Sequence, residues 1–329
     1  MTRTAHPTRR DTLRQLSALT LAGFGATGAA HAQSDKPIRL VLPVATASGV
    51  DTITRAAQGA LSKALGHPVM VENQPGAGGI LGTTTLVRSA PDGFTLSFVS
   101  NNHVIYPSVY KSLPFDPIND ITPIAIVGST PLIVVVNPKV PANNAKELVA
   151  LLKAKAGDMT YASSGNGTIL HLAAEMFVDE AGATARHIPY KGVGPMLTDL
   201  IGGQVQIGVA ALPSVQQHLK SGALRAIGTG AAQRLAAAPD IPTMVEQGMP
   251  GYQVEGWFGF IGPKGLPAAE VKRLHDAVVV AFAAPEVMEA MAKQGNTINV
   301  STTEFAQQFF RSELVKYAKL VRKAGIELQ

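Results

Sequence analysis

Cysteine is absent from all 329 residues. That excludes disulfides, thiolate metal sites, a cysteine nucleophile and a lipid-modified N-terminal cysteine. No Walker, GxSxG or HExxH motif occurs, which removes the usual sequence signs of a nucleotide cradle, an α/β-hydrolase nucleophile and a zinc protease. Gly76-Ala77-Gly78…Gly82 follows a strand-like run but lacks GxGxxG spacing. Beyond the first 32 residues no run of about 18 uncharged apolar residues exists, so the remainder is expected to be soluble. The later histidines (67, 103, 171, 187, 218 and 275) are dispersed in sequence, so neither a metal centre nor a cofactor is expected.

The N-terminus is read as an export signal. Thr8-Arg9-Arg10-Asp11-Thr12-Leu13-Arg14 has a twin-arginine pattern, Leu16 to Ala29 is weakly apolar and glycine-rich, and Ala30-His31-Ala32 supplies a small-x-small cleavage site. Thr12 stands where such signals usually carry an aromatic, which leaves Sec export open. Cleavage near Ala32 is expected to deliver the protein to the periplasm. It also removes four arginines against one aspartate, so the formal charge falls from +5 to +2. The basic balance belongs largely to the leader, and nucleic acid is not expected as a partner.

Strand-like and helix-like patterns alternate through the rest, which argues for α/β layers with mostly parallel sheets. "IRLVLPV" (38–44) is a continuous apolar run, as in a strand buried on both faces. Helical spacing over 51–65 follows it, stopped by Gly66. "ITPIAIVGS" and "PLIVVVNP" read as two strands, the second a crossover into a fresh αβ series, and "GWFGFIGP" (256–263) reads as the return. The expected architecture is therefore two-lobed: 33–132 with 256–329 form lobe 1, 133–255 form lobe 2, and a hinged cleft lies between them. Phe305, Phe309 and Tyr317 of the last helix are expected to face the core, and Trp257, the only tryptophan, core or hinge.

Several strand-to-helix corners are small and polar: "ATASGVD" (45–51), "QPGAGG" (74–79), "SNNH" (100–103), "YASSGNGT" (161–168) and "YKGVGP" (190–195). Glycine lets a backbone come close, and free amides at a helix start point at an anion. One such loop reads as ordinary helix capping by Ser or Thr. Several facing one cleft read as an uncharged anion cradle. Micromolar binding needs about −8 kcal/mol, one helix end supplies roughly 0.3–1 kcal/mol, and charge-assisted hydrogen bonds add roughly 1.5–3 kcal/mol each, so several corners must act together. A competing reading takes Ser108-Val109-Tyr110-Lys111, Ser164-Gly165-Asn166 and Lys220-Ser221-Gly222 as the SxxK, SxN and K[ST]G elements of penicillin-recognising serine enzymes, with Ser108 and Lys111 reactive. Pro107 and Pro114 leave Ser108 too short a helix for that role.

The stretches "KPIRLVLPV", "VMVENQPGAGGILG", "APDGFTLSF", "PSVYKSLPFDP", "YASSGNGT", "HIPYKGVGPMLTDLIGGQV" and "PTMVEQGMPGY", in this order, span nearly the whole chain after the leader. Together they resemble the extracytoplasmic solute-binding receptors of tripartite tricarboxylate transporters, the Bug receptors. The resemblance implies a periplasmic-binding-protein fold and a non-enzymatic role. The partners it implies are a small organic acid, a di- or tricarboxylate or an aromatic acid, and the membrane permease subunits that receive it. The receptor itself is expected to be a monomer. It also implies ligand contacts from the first corner (Val44, Thr46, Ala47, Ser48 and Asp51), from Asn102, and from the loop of Ser163, Ser164, Gly165, Asn166 and Thr168. Asp51 is expected to orient its own loop.

Two departures from the family pattern stand out. The first corner usually reads PFxxGGxxD; here Val44 replaces the aromatic, and Ala47-Ser48 occupy the paired-glycine positions. The strand after "GGQV" usually ends in a cleft-facing aspartate, and the aligned residue is Ala210. An acid there suits a ligand ammonium, so its absence argues against amino acids and for a roomier, less polar pocket.

Overall fold

The structure is a computed structural model that describes residues 36–326 and Leu328. The leader and its cleavage site lie outside the described residues. In chain order the elements are β1 (Ile38–Leu42), α1 (Gly49–Leu65), β2 (Val69–Asn73), α2 (Ile80–Val87), β3 (Thr95–Ser100), α3 (Asn102–Ile105), β4 (Ile121–Val136), α4 (Ala145–Ala154) and β5 (Thr160–Ser163). They continue with α5 (Ile169–Glu180), β6 (Arg186–Pro189), α6 (Val193–Gly202), β7 (Ile207–Ala211), α7 (Leu212–Lys220), β8 (Arg225–Thr229), β9 (Glu255–Pro263), α8 (Ala268–Phe282), α9 (Pro285–Lys293), β10 (Thr297–Ile298) and α10 (Thr303–Lys323).

The strands run β2-β1-β3-β9-β4-β7-β5-β6, with β8 and β10 also paired to β4. The outer strands are parallel, β1 with β2 and β3, and β5 with β6 and β7. The strands between them are antiparallel, because the chain crosses from one lobe to the other on β4 and returns on β9.

β4 is one 16-residue strand where two were expected. Proline cannot donate to a ladder and normally sits at bulges or edges. Pro123 lies at a register shift, and Pro131 lies where β4 changes partner: Pro131 pairs with Glu255 of β9, and Leu132 pairs with Ala211 of β7. The prolines therefore mark a bulge and a handover within one strand, and the handover forms the floor of the cleft.

Two apolar cores flank that floor. Ile38, Leu40, Phe98, Phe258, Phe260 and Phe282 belong to one, with α1 packed on it through Ile53, Ala57, Leu61 and Leu65. Each large buried aliphatic contributes roughly 1.5–3 kcal/mol, and Gly66, left-handed at φ 69°, ends the helix cleanly. Leu148, Tyr161, Phe177, Leu197 and Val209 pack the other lobe. On α10 Tyr317 and Phe310 are buried and half-buried Phe309 packs against the core beside Trp257, while Phe305 is 53% exposed; of the expected aromatics only Phe305 faces away.

Candidate functional site

The first corner joins β1 to α1. Ser48 caps the helix, its Oγ accepting from Asp51 N at 3.2 Å. Gly49 and Val50 stand in the first turn, where no intrahelical acceptor exists for their amides, and both line the cavity. Asp51 is buried and turned inward. Its carboxylate accepts from Ala47 N, from Asn73 Nδ2 and from Arg55 Nε, each at 3.0 Å. That grip holds Ala47 at φ +63°, a left-handed conformation costing a non-glycine residue roughly 1–2 kcal/mol. Glycine removes the strain but loses roughly 0.5–1 kcal/mol of chain entropy. Ala47→Gly is therefore expected to raise the thermal unfolding midpoint by roughly 1–3 °C and to leave ligand affinity within about threefold; a lower midpoint would count against a strained corner.

Two more lobe 1 segments complete that wall. Pro75 to Gly79 form a tight turn into α2, and Tyr106 Oη donates to Gly78 O at 3.1 Å. Ser100, Asn101 and Asn102 follow β3. Asn101 anchors the return strand: its Oδ1 accepts from Trp257 N at 2.8 Å, and its Nδ2 donates to Glu255 O at 3.2 Å. Trp257 Nε1 donates to Glu313 Oε2 at 2.8 Å, which ties the crossing to α10.

Lobe 2 faces this wall with two loops. Ser164 to Thr168 lead into α5. Thr168 caps the helix, its Oγ1 accepting from His171 N at 3.3 Å. Ser164 Oγ donates to Thr168 Oγ1 at 3.2 Å. Tyr190 to Val193 lead into α6, and Tyr190 Oη donates to Asp199 Oδ2 at 2.8 Å. Burial, then that hydrogen bond, pushes the Tyr190 phenol up to about 12, so it stays neutral.

The lobes meet closely. Ile169 N of α5 donates to Asn102 Oδ1 of lobe 1 at 2.8 Å, and Ser214 Oγ of α7 donates to Ala47 O at 2.9 Å. A Cβ on Gly49 would lie 2.8 Å from Cβ of Ala211, and one on Gly192 would lie 2.6 Å from Cβ of Ala45. Between the lobes lies a cavity of about 620 Å³. Its floor is mainly apolar, with Leu132, Gly256, Trp257, Phe258 and Ala211 beside Thr130. Among the described residues no Asp or Glu lines it, and Lys191, exposed at the rim, is its one cation. With α1, α5 and α6 all starting at its wall, the field inside favours an anion.

Of the residues expected at the site, Val44, Ser48, Asn102, Ser164, Gly165, Asn166 and Thr168 line this cavity. Five others do not. Thr46 and Ala47 are exposed and outside the lining, although Ala47 O takes the interlobe bond from Ser214, and Asp51 is buried behind the corner. Ser163 is fully buried, its Oγ 2.7 Å from His187 Nε2. Ala210 is fully buried in β7 opposite Ile133, and Ala211, the last strand residue, reaches the cavity instead. Successive strand side chains alternate faces, so a one-residue offset inverts the assignment; both residues are alanine, and no carboxylate stands there. Gly76, Tyr110, Tyr190, Lys191 and Trp257 line the cavity without having been assigned to it. The polar corners at 74–79 and 190–195 did signal two of those segments.

Residues 53–326 match the family model described as tripartite tricarboxylate transporter family receptor. The chain is 34% identical over 313 residues to protein BugT of Bordetella pertussis, covering 94% of this chain and 96% of BugT. Among solved structures it is similar to the periplasmic binding protein BugD, with a TM-score of 0.85 and 32% identity, covering 89% of this chain and 99% of BugD. An R. palustris protein solved with adipate has a TM-score of 0.86 at 25% identity, covering 89% of this chain and 98% of that one.

Proposed function

This chain belongs to the tripartite tricarboxylate transporter receptor family, and on that premise we propose that it is an exported periplasmic receptor that closes two lobes on a small organic carboxylate. The lobes are 33–132 with 256–329, and 133–255, and the bound acid passes to membrane permease subunits. One observation carries the reading: an interlobe cavity, open at its rim, where among the described residues no acidic side chain lines the wall, several helices start at it and Lys191 is the one cation.

Chemically, the corners can accept a carboxylate at the polar side through the Gly49 and Val50 amides, Ser164 and Asn166. The floor takes an apolar body. At about 620 Å³ the cavity lies within the ordinary range of small-ligand pockets, enough for a six-carbon di-acid with bridging water or for an aromatic acid. An ammonium would find no carboxylate there among the described residues. Calorimetry against citrate, malate, adipate, benzoate and glutamate is therefore expected to give micromolar affinity for at least one plain acid and none measurable for glutamate. Tight glutamate binding with no binding of plain acids would overturn the reading. Native mass spectrometry of freshly purified protein identifies the acid that travels with it.

The serine-enzyme reading has little geometric support. Ser108 ends a single 3-10 turn (Tyr106–Ser108), Lys220 ends α7, and neither these residues nor Lys111 line the cavity that holds Ser164 and Asn166. Covalent labelling by a fluorescent penicillin, lost in Ser108→Ala, is the result that would revive it.

A further inference from the structure

Behind the Ser164–Thr168 loop lies a half-buried cluster that the ligand site does not absorb. Sixteen residues separate His171 on α5 from His187 on β6, yet their rings stack with centroids 3.8 Å apart and planes at 9°. Tyr161 of β5 stacks on His187 at 5.0 Å, and its hydroxyl donates to Glu175 Oε1. Glu175 Oε1 also lies 3.7 Å from His171 Nε2. Each imidazole then reaches the loop. His171 Nδ1 accepts from Gly167 N at 3.2 Å, and His187 Nε2 meets Ser163 Oγ at 2.7 Å.

The hydrogen bonds place the His171 proton and leave His187 Nε2 to donate to or accept from Ser163 Oγ. His171 Nδ1 is an acceptor, so that ring carries its proton on Nε2, toward Glu175. Ser163 Oγ sits 3.2 Å from both Gly165 N, which donates to it, and Gly165 O. The network closes with both imidazoles neutral. A proton added at His171 Nδ1 would point at the Gly167 N–H, donor against donor. Protonating both rings would set two cations face to face across 3.8 Å, with Glu175 the one carboxylate beside them among the described residues.

From this geometry we propose that His171 and His187 are positioning residues for the ligand loop, which keeps its cavity-facing form only while both rings are neutral. The proposal rests on the receptor reading for its meaning, although the loop contacts stand without it.

Other charges do not replace that control. From β5 come only Tyr161 and Ser163, and α6 contributes Asp199, already holding Tyr190. Arg186 opens β6 and Lys191 follows it; both are exposed. Burial, then repulsion by His171, pushes His187 down to about 4. Burial pushes Glu175 up, but hydrogen bonds from His171 and Tyr161 outweigh it and hold the carboxyl below its ordinary value. The sign follows: the neutral His187 ring supports the loop fully above its unfolded value near 6.5, and that support is lost as pH falls toward 4.

The test is amide hydrogen exchange of Gly167 in the ligand-free protein between pH 7.5 and 4.5, corrected for intrinsic rates. The wild type is expected to lose at least tenfold in protection on acidification. His171→Asn keeps an acceptor near the Nδ1 position but cannot be protonated; it should hold protection at pH 7.5 and lose less than the wild type at pH 4.5, the remaining loss coming from His187. His171→Phe keeps the stack without the acceptor and should leave Gly167 unprotected at every pH, with circular dichroism checking that the fold survives. Unchanged wild-type protection at pH 4.5, or protection in His171→Phe, overturns the proposal. Adipate and citrate titrated into the same samples separate the two readings: expected exchange with no acid bound sinks the receptor alone, and acid bound equally at both pH values with Gly167 still protected sinks the positioning role alone.

Discussion

Gly49→Val is expected to lower carboxylate affinity roughly 30- to 1000-fold while each lobe stays folded. Gly49 opens α1, and a Cβ there would meet Cβ of Ala211 in the opposite lobe at 2.8 Å, where carbons prefer about 3.5–4.0 Å. Nothing within lobe 1 is among the contacts of that Cβ, so the clash is relieved by parting the lobes by about 1 Å. The Ile169–Asn102 and Ser214–Ala47 hydrogen bonds, at 2.8 and 2.9 Å, then stretch out of range, as do the ligand's bonds to the lobe that retreats. Losing two neutral hydrogen bonds, at about 0.5–1.5 kcal/mol each, and one charge-assisted bond, at roughly 1.5–3 kcal/mol, yields about 2–4 kcal/mol once partial rescue by water is allowed. Gly59→Val is the control: it sits on the same helix, and its Cβ meets nothing within 4 Å. Calorimetry with the tightest-binding acid of the panel reads the loss, and small-angle scattering of the unliganded protein should report a larger radius for Gly49→Val alone. Equal affinities for the two variants would mean that lobe closure does not set binding.

The sequence made the periodic elements legible, because burial on one face leaves a pattern in neighbouring residues. α1 is an example: Ile53, Ala57, Leu61 and Leu65 recur at helical spacing, and Gly66 stops it. The corners were legible too, since glycine, serine and asparagine cluster where backbone must come close to something. Contacts that join distant positions left no such trace. Asn101 bonds to Tyr317 Oη and to the β9 backbone, and no local pattern distinguishes it from Asn102, which reaches across the cleft instead. The stacking of His171 on His187 was likewise invisible, because two dispersed histidines look alike whether or not the fold stacks them. Pro131 was misleading for a physical reason: a missing N–H ends most strands, but here the strand changes partners at that residue.

The first corner shows how strongly a ligand-facing wall depends on a group that faces away. Asp51→Ala is expected to lower stability by about 2–4 kcal/mol and carboxylate affinity at least about tenfold. Asp51 is 4% exposed, and its carboxylate accepts three hydrogen bonds. Hydrogen bonds involving a charged group contribute about 1.5–3 kcal/mol each. Part of that is recovered, because Arg55 keeps Asn73 Oδ1 at 2.8 Å and Asn73 keeps Val44 O at 3.2 Å. Ala47 N recovers nothing from the protein, and its left-handed φ loses the group that enforces it. Once the corner relaxes, the Gly49 and Val50 amides no longer converge. Asp51→Asn should be nearly as damaging, since its amide NH2 would face the donors of Arg55 or Asn73. Denaturant unfolding and calorimetry on the same variants separate the two possible roles of this carboxylate. A negative group facing the ligand would repel it, so its removal would strengthen anion binding without loss of stability; a group bracing the corner from behind gives weaker binding and weaker folding together.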